Sequence, residues 1–202
     1  MTDDNRRCPW VGTDPEYQRY HDEEWGQPLH GDRALFEKIS LEGFQAGLSW
    51  ITILKKRDAF RDLFQGFDIE TVAAFDAADV EFLLADARII RNRAKIEAVI
   101  SNARIVHTMI SNSAPGALDE LVWSFALPTG KARPQQAENI PAVTPESVAL
   151  SKALKKLGLK FVGPTTMYAL MQSSGVVDDH VADCFLAAPT AQSLTAPANC
   201  AL

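Results

Sequence analysis

Disulfides are the first thing this sequence cannot build. Its 202 residues hold three cysteines, and one of them, Cys200, lies in an Ala/Pro/Ser-rich end. A sparse, odd set of this kind excludes a disulfide framework. No stretch approaches the ~20 apolar residues that a bilayer span requires, so no membrane role is expected. The segment from Met1 to Cys8 is polar and has no apolar signal core, which points to a cytoplasmic protein. Alternating apolar and polar runs of useful length are nearly absent, which argues against a sheet. An excess of positive charge is missing too. Lys and Arg number 20 against 26 Asp and Glu, a net charge of −6, and that balance alone counts against a nucleic-acid partner. Aromatic residues are scarce at 8%, but Trp10, Tyr17, Tyr20, Trp25 and Trp50 crowd the early part of the chain.

What remains is helical pattern. Ile96, Val99, Ile100, Ala103, Val106 and Ile110 recur at the 3.6-residue period, and Leu118, Leu121, Val122 and Phe125 form a second stripe. Thr144-Pro145-Glu146 reads as an N-cap with proline in the first turn, opening a helix that carries Val148, Leu154 and Leu157. Asp32 and Asp68 are candidate caps of two earlier helices. Residues 128–145, rich in Pro, Gln and Ala, read as a long connection. A mainly α fold follows. The expected organisation is one unit over 1–185, of two packed helical subdomains, with a disordered tail over 186–202. Bases gather as Lys55-Lys56-Arg57, as Arg88, Arg91, Arg93 and Lys95, and as Lys152, Lys155, Lys156 and Lys160. Each cluster alone reads as a solvated helix face, although a local basic face can bind phosphate on an acidic protein.

Two segments carry chemistry. In Leu157-Gly-Leu-Lys-Phe-Val-Gly163-Pro164-Thr165-Thr166, a tight turn joins two helices. Gly163 permits positive φ or close backbone approach, and Pro164 can open the next helix. The free N–H groups there, with the Thr165 and Thr166 hydroxyls, can hold a phosphate. The turn resembles a DNA-binding helix-hairpin-helix, and an ordinary αα-turn fits the same residues. Late in the chain, His180 and Cys184 stand four apart, on one face if the segment is helical. With Cys8 and His21 they could complete a tetrahedral zinc shell. On spacing alone, a buried free thiol beside a surface imidazole is the commoner arrangement.

Five segments then occur in order: Cys8-Pro-Trp-Val11, Tyr20-His-Asp-Glu-Glu-Trp-Gly26, Leu41-Glu-Gly-Phe-Gln-Ala-Gly-Leu-Ser-Trp-Ile51, Leu154-Lys-Lys-Leu-Gly-Leu-Lys-Phe-Val-Gly163 and Val177-Asp-Asp-His180. Together they resemble 3-methyladenine DNA glycosylase I, the bacterial Tag family of the helix-hairpin-helix glycosylase superfamily, from about residue 6 to 185. The resemblance implies an all-α fold with a structural zinc, one per chain, on Cys8, His21, His180 and Cys184, joining the two ends. It implies a monomeric, monofunctional enzyme that flips 3-methyladenine out of alkylated double-stranded DNA and hydrolyses its N-glycosidic bond.

That chemistry sets demands that the residues can meet. An alkylated, cationic base is already a good leaving group, so recognition matters more than acid catalysis. Trp50 would stack on the flipped base with cation–π gain, and Trp10, Tyr17, Tyr20 and Trp25 would wall the pocket. Glu42 would accept from the base N–H groups, which alkylation strengthens as donors. By the same resemblance Gly47-Leu48 would fill the gap left in the stack. The alternative readings are core aromatics, a paired Glu42 and a core Leu48. Asp178 occupies the superfamily's catalytic aspartate position, where Tag members often have Asn. It could stabilise an oxocarbenium-like sugar or cap the zinc-bearing helix. Lys160 reads as a phosphate contact rather than a Schiff-base nucleophile. A non-enzymatic zinc-stapled DNA binder would lack Glu42 or Trp50, and a zinc hydrolase needs an open metal position that four protein ligands deny.

Overall fold

In the computed structural model, which describes residues 6–126 and 132–186, every regular element is a helix. Asp14 accepts from the N–H groups of Glu16 and Tyr17 and so starts α1 (Pro15–Glu23), with Pro15 in the first turn. Then come α2 (Asp32–Gln45), the short α3 (Trp50–Leu54) and α4 (Arg57–Leu63). After them run α5 (Ile69–Ala73), α6 (Ala77–Ala85), the long α7 (Arg93–Asn112) and α8 (Ala117–Trp123). The chain ends in a helical pair, α9 (Pro145–Lys156) and α10 (Pro164–Ser173).

The centre of this arrangement is α2. Every residue from Leu35 to Phe44 except Glu37 is buried, so the helix has almost no solvent face, as expected of a core helix. It packs against α3, α7, α8 and α10. The two charged members of that run, Lys38 and Glu42, are therefore held deep inside the molecule. In α7, Ile96, Val99, Ile100, Ala103 and Val106 are buried as their spacing predicts, and Ile110 is half-buried. Thr144 caps α9 through a reciprocal bond with Ser147, and Asp68 caps α5 through Thr71 N–H. No helix among the described residues is long and apolar enough to cross a membrane.

Several local expectations change. Asp32 does not cap its own helix: it is the first residue of α2, and Gly31 precedes it. Its carboxylate instead accepts from the N–H groups of Gly116, Leu118 and Asp119 and caps α8 from across the fold. Phe125 lies just past α8, and Leu157 ends α9 with its side chain exposed. The connection before α9 carries a short 3₁₀ turn at Ala137–Asn139, and residues 127–131 of it lie outside the described set. His180 and Cys184 share no helix, because the chain from Gly175 to Leu186 runs as turns, bends and irregular backbone. Buried Asp179 drives that course by accepting from Tyr168 O–H and Gln172 Nε2 of α10. Of the expected tail over 186–202, Leu186 is half-buried against the core, and residues 187–202, Cys200 among them, lie outside the described residues.

Most of the basic clusters are absorbed by the fold. Arg57 is buried against Glu24, Lys55 pairs with Asp14, Arg88 pairs with Asp86 and Asp62, and Arg93 pairs with Glu81. Lys95 is buried and donates to the carbonyls of Phe44 and Ala46, where α2 ends. By contrast Lys152, Lys155, Lys156 and Lys160 are exposed and have no acidic partner among the described residues.

Candidate active site and metal centre

A pocket of about 170 Å³ opens between α1, α2, α3 and α10. All six residues expected to hold the base line it: Trp10, Tyr17, Tyr20, Trp25, Glu42 and Trp50. The rings form two groups. Trp10 lies 4.9 Å from Tyr17 and 5.1 Å from Trp25, and Tyr20 lies 5.6 Å from Trp50, centroid to centroid. Trp50 sits at the start of α3 because Ser49 is extended and the helix begins directly after it.

Glu42 comes up from the buried centre of α2. One of its oxygens, Oε1, accepts from Ser173 Oγ at 3.1 Å. The other, Oε2, is buried without a hydrogen-bond partner among the described residues, and so is Trp50 Nε1. A buried acceptor and a buried donor left unpaired on two pocket-lining residues are costly unless something else meets them. Burial pushes the Glu42 carboxyl up, to about 7, against the pull of Lys38 one turn away.

Sequence reasoning missed the contributions of α10. Ala169, Gln172 and Ser173 line the pocket and stand at i, i+3 and i+4, so the 3.6-residue period could have revealed them as one face. Gln45 and Ile140 also line it, and Ile140 comes from irregular chain with no pattern to mark it. Lys38, buried behind the wall, was missed as well, although its spacing from Glu42 is that of a helical pair.

The expected hairpin is present between α9 and α10. The Lys160 N–H and C=O are both held by the Asn102 side chain, and Ser151 Oγ donates to the Val162 carbonyl. Gly163 has φ −64°, so positive φ is not what requires glycine there. A Cβ at that position would meet nothing nearer than 4.0 Å within the chain. Thr165 and Thr166 occupy the first turn of α10. Gly47 has φ +83° and the Leu48 side chain is 43% exposed, which removes the core-leucine reading. Asp178 is exposed and lies outside the pocket lining. Its carboxylate accepts from Arg133 Nε at 2.7 Å and from the His180 N–H, so it braces a turn rather than a helix.

Cys8, His21, His180 and Cys184 converge on one point, all buried, with their ligand atoms within 4.8 Å of one another. Cys184 Sγ lies 3.5 Å from both His21 Nε2 and His180 Nδ1, and Cys8 Sγ lies 3.6 Å from His180 Nδ1. The opposite ring nitrogens are engaged: His21 Nδ1 with Asp22 at 2.9 Å, and His180 Nε2 with the Trp25 carbonyl at 3.3 Å. Those partners select the tautomers that leave a lone pair facing the sulfurs. Burial keeps both imidazoles neutral, and His180 is brought down to about 4, with His21 beside it adding to the effect. Burial also pushes the Cys8 thiol up to about 12, so a thiolate here needs a cation against it. The cluster could hold a metal ion.

These features have counterparts in known proteins. The family model described as methyladenine glycosylase matches residues 10–187. The chain belongs to the methyladenine glycosylase family. It is 51% identical over 183 residues to DNA-3-methyladenine glycosylase 1 of Escherichia coli K12, covering 88% of this chain and 95% of that one. A crystal structure of 3-methyladenine DNA glycosylase I superposes with TM-score 0.87 at 49% identity, over 91% of this chain and all of the other. A structure addressing 3-methyladenine recognition by the Staphylococcus aureus enzyme matches with TM-score 0.83 at 35% identity, over 91% and 97% of the two chains. This glycosylase thus shares the helical architecture of the family across nearly its whole described length.

Proposed function

We propose that this chain is a monofunctional DNA glycosylase that extrudes 3-methyladenine from alkylated double-stranded DNA and hydrolyses its N-glycosidic bond. The observation that carries the reading is Glu42: a buried carboxylate with one oxygen unpartnered, set in an aromatic pocket. A flipped purine can stack on Trp50 while its N–H groups donate to Glu42 Oε2, and Trp50 Nε1 can serve an acceptor on the base or a water. The glycosidic bond breaks with its electron pair going to the cationic ring, which leaves as neutral 3-methyladenine. Water adds to the sugar carbon and loses a proton, leaving an abasic site. No protein nucleophile is needed, which agrees with Lys160 being exposed on the hairpin rather than in the pocket.

The hairpin supplies the backbone grip. Gly163 has room that the chain itself does not use, Pro164 opens α10, and the Thr165 and Thr166 hydroxyls stand by the free N–H groups. Lys160 and the unpaired lysines of α9 add charge to the same end of the molecule. Thr165 and the pocket residue Ser173 belong to one helix, eight residues or about 12 Å apart. One rigid rod can thus set a phosphate relative to an extruded base. Leu48, exposed after Gly47, is placed to fill the stack.

Cys8, His21, His180 and Cys184 would hold zinc, in a structural role. Arms of ~2.3 Å to sulfur and ~2.0–2.1 Å to nitrogen give a tetrahedral S···N edge of about 3.5 Å. Three S···N separations, of 3.5, 3.5 and 3.6 Å, agree with that edge. Four protein ligands leave no open position, so the ion would fasten the fold and take no part in the reaction. The protein acts as a cytoplasmic monomer.

Methylated duplex DNA incubated with the protein should release 3-methyladenine, identified by chromatography. Borohydride added during turnover should trap no covalent adduct. Absence of base release ends the proposal, and a trapped adduct ends its monofunctional part.

A further inference from the structure

Nothing in the recognition scheme above uses Lys38, yet the pocket wall is built against it. The side chain leaves α2 one turn before Glu42 and is 8% exposed. Its Nζ donates to Tyr20 Oη at 2.9 Å and lies 4.8 Å from the Tyr20 ring centroid and 5.1 Å from that of Trp50. Lys38 does not line the base pocket. It lines the adjoining cavity of about 280 Å³, which Trp50 separates from the pocket by facing both. The amine therefore sits behind the Tyr20–Trp50 wall.

Two consequences follow from elementary chemistry. An ammonium has three donors and no acceptor, so the Tyr20 oxygen accepts from it. The phenol hydrogen must then turn away from Lys38, toward the side that holds the Ser173 hydroxyl and the pocket that both residues line. A cation one helical turn from a buried carboxylate also favours the carboxylate's charged form. We propose that Lys38 is a positioning residue for base recognition, holding Glu42 as the carboxylate a cationic base requires and aiming the Tyr20 hydroxyl into the pocket as a donor. The inference rests on the pocket being the alkylated-base site.

The surroundings leave this task to Lys38. It faces Tyr20 of α1, Glu24 just after α1, Glu37 and Glu42 of its own helix, and Arg57 of α4. Glu24 is clasped by both Arg57 nitrogens. Glu42 in turn faces Lys38, the Ser173 hydroxyl of α10, and the phenols of Tyr17 and Tyr20. Lys38 is the cation set against it. Burial raises Glu42 to about 7 and lowers Lys38 to about 8, and each offsets the other. Falling pH should protonate Glu42 and remove the acceptor, so base release should decline as pH drops through about 7. Without Lys38, burial acts on Glu42 unopposed and the decline should begin at higher pH.

Single-turnover base release from methylated duplex DNA, followed from about pH 5.5 to 9.5, tests this. The wild type, Lys38→Met, Tyr20→Phe and the double variant would be compared, each with a thermal melt. In Lys38→Met the acid limb should move up by about one pH unit, making it about tenfold slower than wild type near pH 6. Near pH 8 the gap should narrow, and what remains, due to the Tyr20 hydroxyl, should vanish in the Tyr20→Phe background and fade at higher pH as Lys38 itself loses its proton. A wild type that releases no base sinks the pocket reading and this inference with it. A wild type that does, with a Lys38→Met profile that merely scales it at every pH, overturns the inference alone. Should Lys38→Met not melt cooperatively, the unsubstituted protein decides. Carbon-13 NMR of the Glu42 carboxyl and nitrogen-15 NMR of Lys38 Nζ must show the two groups titrating as a linked pair, and independent titrations overturn the inference.

Discussion

Glu42 presents only one free oxygen to the pocket, and a substitution can change that oxygen's character while sparing its shape. Glu42→Gln turns a charged acceptor into an amide that both donates and accepts. A charge-assisted hydrogen bond is worth roughly 1.5–3 kcal/mol, so free 3-methyladenine should bind about ten- to hundredfold more weakly in calorimetry, with the fold intact. Unchanged affinity would take Glu42 out of the pocket. Asp178 supports the opposite expectation. Exposed, engaged by Arg133 and outside the pocket lining, it should tolerate Asp178→Asn with less than about tenfold loss in single-turnover base release. A preorganised electrostatic contact would cost on the order of a hundredfold. A loss of that size with an unchanged melt would make Asp178 catalytic. The six pocket residues were legible through the resemblance of their segments to the family; from residue chemistry alone, core aromatics and a paired Glu42 fitted equally well. Lys38 and Ser173 were not, since a lysine and a serine signal burial only once their neighbours are known.

At the scale of elements, the hairpin gives the cleanest separation of stability from binding. Gly163 has ordinary φ, and a Cβ there clashes with nothing in the chain. Gly163→Ala should therefore melt like wild type, yet bind duplex DNA more weakly because the methyl stands where a phosphate would approach. Fluorescence anisotropy against a melt checks both halves, and equal affinity would remove the glycine from the interface. Helices and their caps were readable where the determinant is local, as at Thr144-Pro145, Asp68 and the α7 stripe. Asp32 misled because its carboxylate serves a helix more than eighty residues away, which no local pattern encodes. The spacing of His180 and Cys184 suggested a helix for a related reason: a turn fixed by buried Asp179 meets the same separation.

For the molecule as a whole, the Cys/His cluster and the pocket share a wall. Trp10 packs 5.4 Å from His21 and Trp25 packs 4.6 Å from His180. Cys8→Ala, or exhaustive chelation, should lower the melting temperature and also weaken base binding, because the rings lose their backing. Metal analysis should find about one zinc per chain. A metal-free protein of undiminished stability would refute the structural role. The same centre has a mechanical consequence. Cys8 meets His180 and Cys184, and the Phe185 N–H donates to the Arg6 carbonyl at 2.8 Å. Residues 6 and 185 are thus neighbours. Tension applied there, as with optical tweezers, would load the metal–ligand bonds before it reached any helix. The first rupture should be a short-extension event that chelator abolishes, and only afterwards should the helices be drawn out. The glycosylase would behave under force as a closed ring with a metal clasp.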